Sequence, residues 1–310
     1  MASPRVSVCL LVFNHAHRLD AVVGSILAQT LADFELVISD DCSTDGSWEA
    51  IQSFQARDPR IRAVRTPRNL GMAGNANFAC AAARAPYIAL LHHDDVVDPR
   101  LLERWLDVAD RHPHTAFVFN DYYSYSNTAS HALEKRGFRE VMAGPDFLTR
   151  YLLSGWGSPI RGTALIRKEC LDAAGGFDER FGLLSDIDLW MRLCGRWDVG
   201  YAAEPLIRVV HDRPADYPRE YREFTWERMR ILFQIHAAQW QQRTKDGLSG
   251  VAAWLWFRAR VSAEVMKWLA YAVVKRKAWM LREADSGRTP FEFAFVNVCR
   301  NAAVRVWGRD

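Results

Sequence analysis

The first 120 residues alternate short apolar runs, rich in β-branched side chains, with segments of helical periodicity. Strands are predicted over residues 5–13, 34–39, 61–65, 87–91 and 115–120, and helices over residues 19–29, 46–54, 73–85 and 99–111. Strand–helix alternation at this spacing builds βαβ units, so we predict an α/β fold with a mainly parallel, Rossmann-like sheet flanked by helices. In such sheets ligands bind beyond the carboxyl ends of the strands, and functional residues are expected there.

The remainder of the chain falls into two parts. Residues 140–212 are less regular, with a strand predicted at 163–166 and a helix at 186–194, whereas helices are predicted at 220–243, 250–283 and 290–307. We therefore predict an α/β domain over residues 1–215 and a basic, tryptophan-rich helical extension over residues 216–310, which carries 17 basic and 10 acidic residues. The amphipathic helix at 250–283 has two interpretations. It packs on its own domain or on a second copy of the chain, forming a homo-oligomer, or it lies peripherally on an anionic membrane.

Composition narrows the classes of protein. The six cysteines form no CxxC pair, which excludes a disulfide framework and a cysteine-based zinc site. The N-terminal apolar run is too short for a signal peptide, and no stretch of about 20 residues is apolar enough to span a bilayer. With a net charge of +3 we expect no nucleic-acid partner. A cytoplasmic protein is favoured, either free or peripheral at the inner face of the cytoplasmic membrane.

Two predicted strands end in consecutive aspartates, Asp40 with Asp41 and Asp94 with Asp95. Aspartate is a poor strand former and is costly to bury unpaired, so each pair belongs either to a turn that caps the next helix or to a ligand site. The second pair suits Mg²⁺ or Mn²⁺, with phosphate oxygens of a substrate completing the coordination. Zinc is disfavoured, because the two histidines that precede this pair are adjacent on a strand and face opposite ways.

A third acidic segment opens the helix predicted at 186–194. Asp188 and Arg192 lie four residues apart and are expected to form a structural pair. Asp186 stands at the start of the helix without such a partner. It is either a helix N-cap or a carboxylate held at the mouth of a site to accept a proton, and spacing alone leaves both roles open.

Seven segments, taken in order, resemble the family 2 glycosyltransferases, which have the GT-A fold. They are residues 6–14, 25–30, 40–47, 69–77, 87–95, 175–179 and 185–192. Their order and spacing together are specific, and the match extends over most of residues 5–212. The resemblance implies an inverting enzyme that uses a UDP- or dTDP-sugar donor and Mn²⁺ or Mg²⁺. The expected acceptor is a hydroxyl of a glycan or of a lipid-linked glycan, in cell-surface polysaccharide synthesis.

The resemblance also assigns roles to individual residues. Asp186 becomes the general base, and Asp94 becomes the metal ligand with Asp95 beside it. The donor nucleotide is expected to contact Phe13, Asn14, Asp40, Asp41, Asn69, Gly71, Asn77, His93 and His211. For His211 the alternative is an ordinary loop histidine. The acceptor is expected over residues 155–161, which include Arg161 and Trp156. Trp156 either stacks on a sugar ring or anchors the core.

Three positions depart from the family pattern. His92 stands in place of the first aspartate of the metal motif, Ser185 in place of the glutamate before the base, and Ala76 in place of a frequent arginine. The first two motivate an alternative function, a non-catalytic GT-A-fold scaffold or binding subunit of a glycan-assembly complex. A sugar-nucleotide pyrophosphorylase is a third hypothesis. It is disfavoured because no glycine-rich loop with arginine or lysine follows the first predicted strand.

Overall fold

A computed structural model describes residues 3–124, 130–131, 137–154, 158–209 and 226–243, together with the isolated positions 259 and 263. The chain divides into two compact units, residues 1–214 and 215–310. In the second unit the described segment is one helix at Trp226–Arg243, within the residues predicted to be helical. The helices predicted at 250–283 and 290–307 lie outside the described residues, and so do the oligomer and membrane contacts expected of them. Over the part of the chain that is described, no helix is both long enough and apolar enough to cross a bilayer.

The first unit is built on one mixed sheet with helices between its strands. The strands are β1 (Val6–Val12), β2 (Phe34–Asp40), β3 (Ile61–Arg65), β4 (Tyr87–His92), β5 (Asp95–Val97), β6 (Thr115–Ser124), β7 (Ser130–His131), β8 (Val141–Met142), β9 (Ala164–Arg167) and β10 (Asp198–Val209). The helices are α1 (Leu19–Leu27), α2 (Ser47–Arg57), α3 (Gly71–Ala82), α4 (Leu101–Arg111), α5 (Gly144–Phe147), α6 (Lys168–Ala174) and α7 (Ser185–Cys194), and the helix of the second unit is α8. Short 3₁₀ helices lie at Ala16–Arg18 and Glu179–Leu184.

The strand order confirms the predicted α/β fold and adds antiparallel strands to its parallel part. The order is β3-β2-β1-β4-β9-β6-β10-β5, with β7 beside β6 and β8 beside β10. The first four strands of this order are parallel, as predicted. Strand β9 then enters between β4 and β6 and runs antiparallel to both, so the sheet is mixed. The reversal brings the residues just before β9 to the edge where β1, β2 and β4 end.

Strand β10 was missed by the sequence-based prediction. It contains Gly200 and Pro205, residue types that weaken a strand and normally argue against a central position in a sheet. The structure accommodates Pro205 at irregularities in the pairing with β6. Strand β10 consequently pairs with β6, β5 and β8.

The core holds the strand ends in place. Every residue of β1 and β2 is buried, as expected for strands covered by helices on both faces. Helix α4 contributes the fully buried Trp105, whose indole Nε1 donates to Oδ1 of Asn120 at 3.1 Å. The loops at the carboxyl edge of the sheet are therefore carried on a rigid scaffold.

Two glycines allow a matched test of this packing. Gly144 begins α5 and is buried, and an added Cβ would overlap the carbonyl oxygens of Trp197 and Cys194. We expect Gly144→Ala to destabilise the fold by about 2 kcal/mol or more, because backbone cannot move aside cheaply. Gly24 lies exposed within α1 with no atom within 4 Å of the added Cβ, so Gly24→Ala should stabilise by about 0.5–1 kcal/mol. Urea unfolding would measure both, and equal stabilities would contradict this account of the α5 packing.

Candidate active site

The residues predicted to contact the donor nucleotide come together at the carboxyl ends of three neighbouring parallel strands. In the sheet register Val12 pairs with Asp40, and Leu11 pairs with His92. The segments that follow these strands therefore meet at one edge of the sheet. Phe13 lies at this edge with 42% of its surface exposed, so its ring is available to a ligand.

The turn after β1 and the turn after β2 are joined by hydrogen bonds. The Asn14 backbone N–H donates to Ser43 Oγ at 2.9 Å, and the Asn14 side-chain Oδ1 accepts from the Thr44 N–H at 2.8 Å. Asn14 and Cys42 both have positive φ, 49° and 60°, which is uncommon for residues other than glycine. Such strained backbone persists only where surrounding contacts hold it, and it is often found at ligand sites.

The Asp40 carboxylate supports the turn from inside. It is fully buried, it pairs with Arg65 Nε at 3.0 Å, and it accepts from the Ser43 N–H at 3.1 Å. Both contacts are made by Oδ2, and Oδ1 has no hydrogen-bond partner among the described residues. Asp40 thus supports the turn, and its expected contact with the donor nucleotide stays a prediction.

Asp41 connects the β2 turn to the start of α3. Its Oδ1 accepts from Thr66 Oγ1 at 3.0 Å and from the Leu70 N–H at 2.8 Å. Asn69 Oδ1 accepts from the N–H of Gly71, whose φ of +73° favours glycine. Burial raises the pKa of Asp41, and the Leu70 hydrogen bond opposes that shift. Asp41, Asn69 and Gly71, which are expected to contact the donor nucleotide, thus form one group at the start of α3.

The Asn77 side chain is occupied elsewhere. Its Nδ2 donates to the Phe177 carbonyl at 2.9 Å, and its Oδ1 accepts from the Phe177 N–H at 2.8 Å. A Cβ on Gly176 would lie 2.7 Å from the same Oδ1, so glycine is needed at this turn. Asn77 therefore holds the Gly-Gly-Phe turn on α3, and its expected contact with the donor nucleotide stays a prediction.

The predicted pair of Asp188 and Arg192 supports that turn from the other side. Arg192 Nε lies 2.7 Å from Asp188 Oδ2, and its terminal nitrogens donate to the carbonyls of Ala174 and Gly176. Burial raises the pKa of Asp188, and Arg192 opposes this shift. The pair therefore anchors the segment that leads into the helix carrying Asp186.

The imidazole rings of His15, His17 and His93 lie close together near the end of β4. The His15 ring lies 4.1 Å from His93 and 4.6 Å from His17, between ring centroids. His93 Nδ1 contacts the Leu11 carbonyl at 3.0 Å. Burial lowers the pKa of His15 to about 4, so its ring is neutral at pH 7. The sequence analysis did not single out His15. Its position directly after Asn14, at the end of the first predicted strand, was the available signal in the sequence.

Asp94 and Asp95 have contrasting environments. Asp94 is half-buried, whereas Asp95 is 2% exposed and its Oδ1 has no hydrogen-bond partner among the described residues. Burial, followed by the charge of Asp94, raises the pKa of Asp95 to about 7, and Arg161 opposes this shift. An orphaned buried carboxylate oxygen beside a second carboxylate fits a hard divalent cation. Within the described ranges, no group of three or more His, Cys, Asp or Glu side chains is arranged to hold a metal, so phosphate oxygens would complete such a site.

Arg161 lies beside these carboxylates. Its guanidinium carbon is 5.1 Å from the ring centroid of Tyr122, and its charge acts on Asp95 and His92. Its Nε has no hydrogen-bond partner in the part of the chain that the structure describes. Trp156, the other expected acceptor residue, lies outside the described residues. His211 also lies outside them, two positions after Val209, the residue paired with Asp95.

The carboxylate of Asp186, on α7, lies close to Gly162. Its Oδ1 accepts from the N–H of Ile187 at 2.8 Å, and its Oδ2 lies 3.0 Å from the position of a Cβ on Gly162. The Nε2 atom of His92, at the end of β4, lies 2.9 Å from that same position. The helix with Asp186 and the strand that leads into Asp94 therefore converge on one glycine. The residues expected to serve the donor and the acceptor share one edge of the sheet.

A mixed sheet of this order, with carboxylates after β4 and another at the start of α7, is that of a GT-A glycosyltransferase. The model of the family described as glycosyl transferase family 2 matches residues 7–175, more than half of the chain, and the protein belongs to this family. Bacillus subtilis EpsE, which bears the name of a glycosyltransferase, is 27% identical over 229 residues, covering 73% of this chain and 78% of EpsE. The succinoglycan biosynthesis protein ExoO of Rhizobium meliloti is 36% identical over 107 residues, 34% of this chain and 30% of ExoO.

Solved structures agree on the fold. Staphylococcus aureus TarS 1-349, in complex with UDP-GlcNAc, superposes with a TM-score of 0.59 at 15% identity, covering 83% of this chain and 80% of that one. The mannosyltransferase of Pyrobaculum calidifontis, in complex with GDP-Man and Mn²⁺, gives 0.54 at 18% identity, covering 100% of this chain and 89% of that one. At these identities the likeness concerns the fold alone.

Proposed function

We propose that this protein is an inverting glycosyltransferase that moves a sugar from a nucleoside-diphosphate donor, a UDP- or dTDP-sugar, to a hydroxyl of a glycan or lipid-linked glycan. The observation that carries the proposal is the approach of Asp186 and the end of β4 to Gly162 from two elements. It supports a donor on the β4 side and an acceptor on the α7 side. The name of ExoO supports a role in cell-surface polysaccharide synthesis.

The chemistry needs one displacement. The acceptor oxygen bonds to the anomeric carbon, the bond from that carbon to the diphosphate oxygen breaks, and Asp186 takes the hydroxyl proton. Attack opposite to the leaving group inverts the anomeric configuration. Phe13 and the group around Asp41 would position the nucleoside.

Asp94 and Asp95 are the residues that would hold Mg²⁺ or Mn²⁺. The cation would neutralise the charge that develops on the departing diphosphate. The complexes of two structural neighbours, one with UDP-GlcNAc and one with GDP-Man and Mn²⁺, make these donors and this metal sensible first choices for a test.

The test is a panel of UDP-, dTDP- and GDP-sugars, assayed for nucleoside-diphosphate release with Mn²⁺, with Mg²⁺ and with chelator. We expect one UDP- or dTDP-sugar to give release that depends on the cation. Cation-stimulated nucleotide binding without any turnover, across the panel and with acceptor glycans present, would favour the scaffold alternative. Absence of any nucleotide binding would contradict both.

A further inference from the structure

His92 ends β4 and lies beside Gly162, in the segment that precedes β9. Strand β4 runs antiparallel to β9, with Leu90 opposite Ala164 as the last described pair. Two more residues in this register bring His92 opposite Gly162. The contact agrees with that extension, because His92 Nε2 lies 2.9 Å from the position of a Cβ on Gly162, and the ring hydrogen-bonds the Gly162 backbone.

Gly162 is confined from two directions. Its φ of +67° lies in the region that favours glycine, and any side chain there would meet both His92 Nε2 and Asp186 Oδ2. The residue is buried, and His92 and Asp186 both lie against the side of Gly162 where a Cβ would stand. A shift of Gly162 would therefore change the surroundings of Asp186 directly.

The chemistry of the imidazole suits this place. The imidazole donates an N–H to the Gly162 backbone. An aspartate at this position would instead add a carboxylate close to Asp94, Asp95 and Asp186. An imidazole donor fixes the backbone next to the expected base without adding negative charge to the site.

We propose that His92 is a positioning residue, whose Nε2–H holds the backbone of Gly162 and so sets the acceptor side of the site against Asp186. The proposal rests on the proposed glycosyltransferase function and deepens it. His92 acts through Gly162 and ties the strand that leads to the expected metal carboxylates to the helix that carries the expected base.

The test compares His92→Gln with His92→Asn. The Gln Nε2 can reach the position of the histidine Nε2, whereas the Asn amide ends near the position of Nδ1. We expect His92→Gln to keep the ratio of sugar transfer to donor hydrolysis within about threefold of wild type. His92→Asn should raise the acceptor KM and lower this ratio about tenfold or more, since small misplacements near a reacting centre have large effects.

A purely structural role would lower transfer and hydrolysis together and leave their ratio unchanged. His112→Gln is the matched control, because this partly exposed histidine pairs with Glu140 after α4, at the opposite edge of the sheet. An unchanged ratio in His92→Asn, or an equal loss in both His92 variants, would overturn the proposal. A wild-type protein that transfers no sugar would overturn the proposed function itself, and with it this role for His92.

Discussion

Asp186→Asn is expected to reduce sugar transfer by about 10³-fold or more while leaving the protein folded. A general base contributes roughly 10²–10⁴-fold, and an amide cannot take the proton of the acceptor hydroxyl. The fold should persist because the Asn Oδ1 can still accept from the Ile187 N–H, as Asp186 Oδ1 does at 2.8 Å. Steady-state transfer and nucleotide affinity would be measured on the same preparation, and affinity is expected to stay near that of wild type.

The control for this variant is Asp172→Asn on α6. The Asp172 side chain is 60% exposed and pairs with Lys168, so the same chemical change occurs away from the site. Transfer by the control should equal that of wild type. Near-wild-type turnover by Asp186→Asn would remove this residue as the base. The alternative of a helix N-cap does not apply, because Leu184 is the N-cap of α7 and Asp186 lies in its first turn.

Asp94→Ala is expected to abolish the dependence of donor binding on the divalent cation. Stabilisation of a leaving diphosphate by a cation amounts to several kcal/mol, so kcat/KM should fall by about 10³-fold. Calorimetric titration of UDP with and without Mn²⁺ would check the binding part without requiring catalysis. Wild type should bind more tightly with the metal, and the variant should show the same affinity in both conditions.

Asp107→Ala supplies the comparison for Asp94. Its carboxylate is 44% exposed on α4 and pairs with Arg104, so its loss removes a negative charge without touching the site. We expect the control to retain metal-stimulated UDP binding. If Asp94→Ala retained it as well, the cation would have to bind elsewhere, and the pairing of Asp94 with Asp95 as metal ligands would be wrong.

Much of the fold was predictable because hydrophobic periodicity is local. Strand β3 was predicted with its observed ends, and α7 and β4 begin or end within one residue of the prediction. The antiparallel pairing of β9 was not predictable, since sheet neighbours depend on contacts between residues far apart in the chain. Strand β10 was missed for a different reason. Pro205 argues locally against a strand, and only the irregular pairing with β6 accommodates it.

For the site as well, the sequence identified candidate residues but not the contacts that they make. Their place at a strand end identified Asp94 and Asp95 as candidates, because an unpaired carboxylate is costly to bury there. For Asp186 spacing left two roles open, and the resemblance to the family implied the role of base. The sequence could not distinguish side chains that support the site from those that face a ligand. Asn77, in one of the family motifs, makes both side-chain hydrogen bonds to Phe177, and Oδ2 of Asp40 contacts Arg65 and Ser43.

By itself the sequence determined the α/β class and the chemistry available at the carboxyl edge of the sheet, because both follow from residue types and their spacing. The tertiary structure alone decided that β9 reverses direction and sets Gly162 against the end of β4, with Asp186 opposite. Such a meeting depends on packing between the end of β4 and two residues that lie 70 and 94 positions further along the chain, Gly162 and Asp186. The missing Cβ of Gly162 leaves the space that His92 and Asp186 occupy. Periodicity along a chain carries no information about that space, since it arises only when the sheet closes around it.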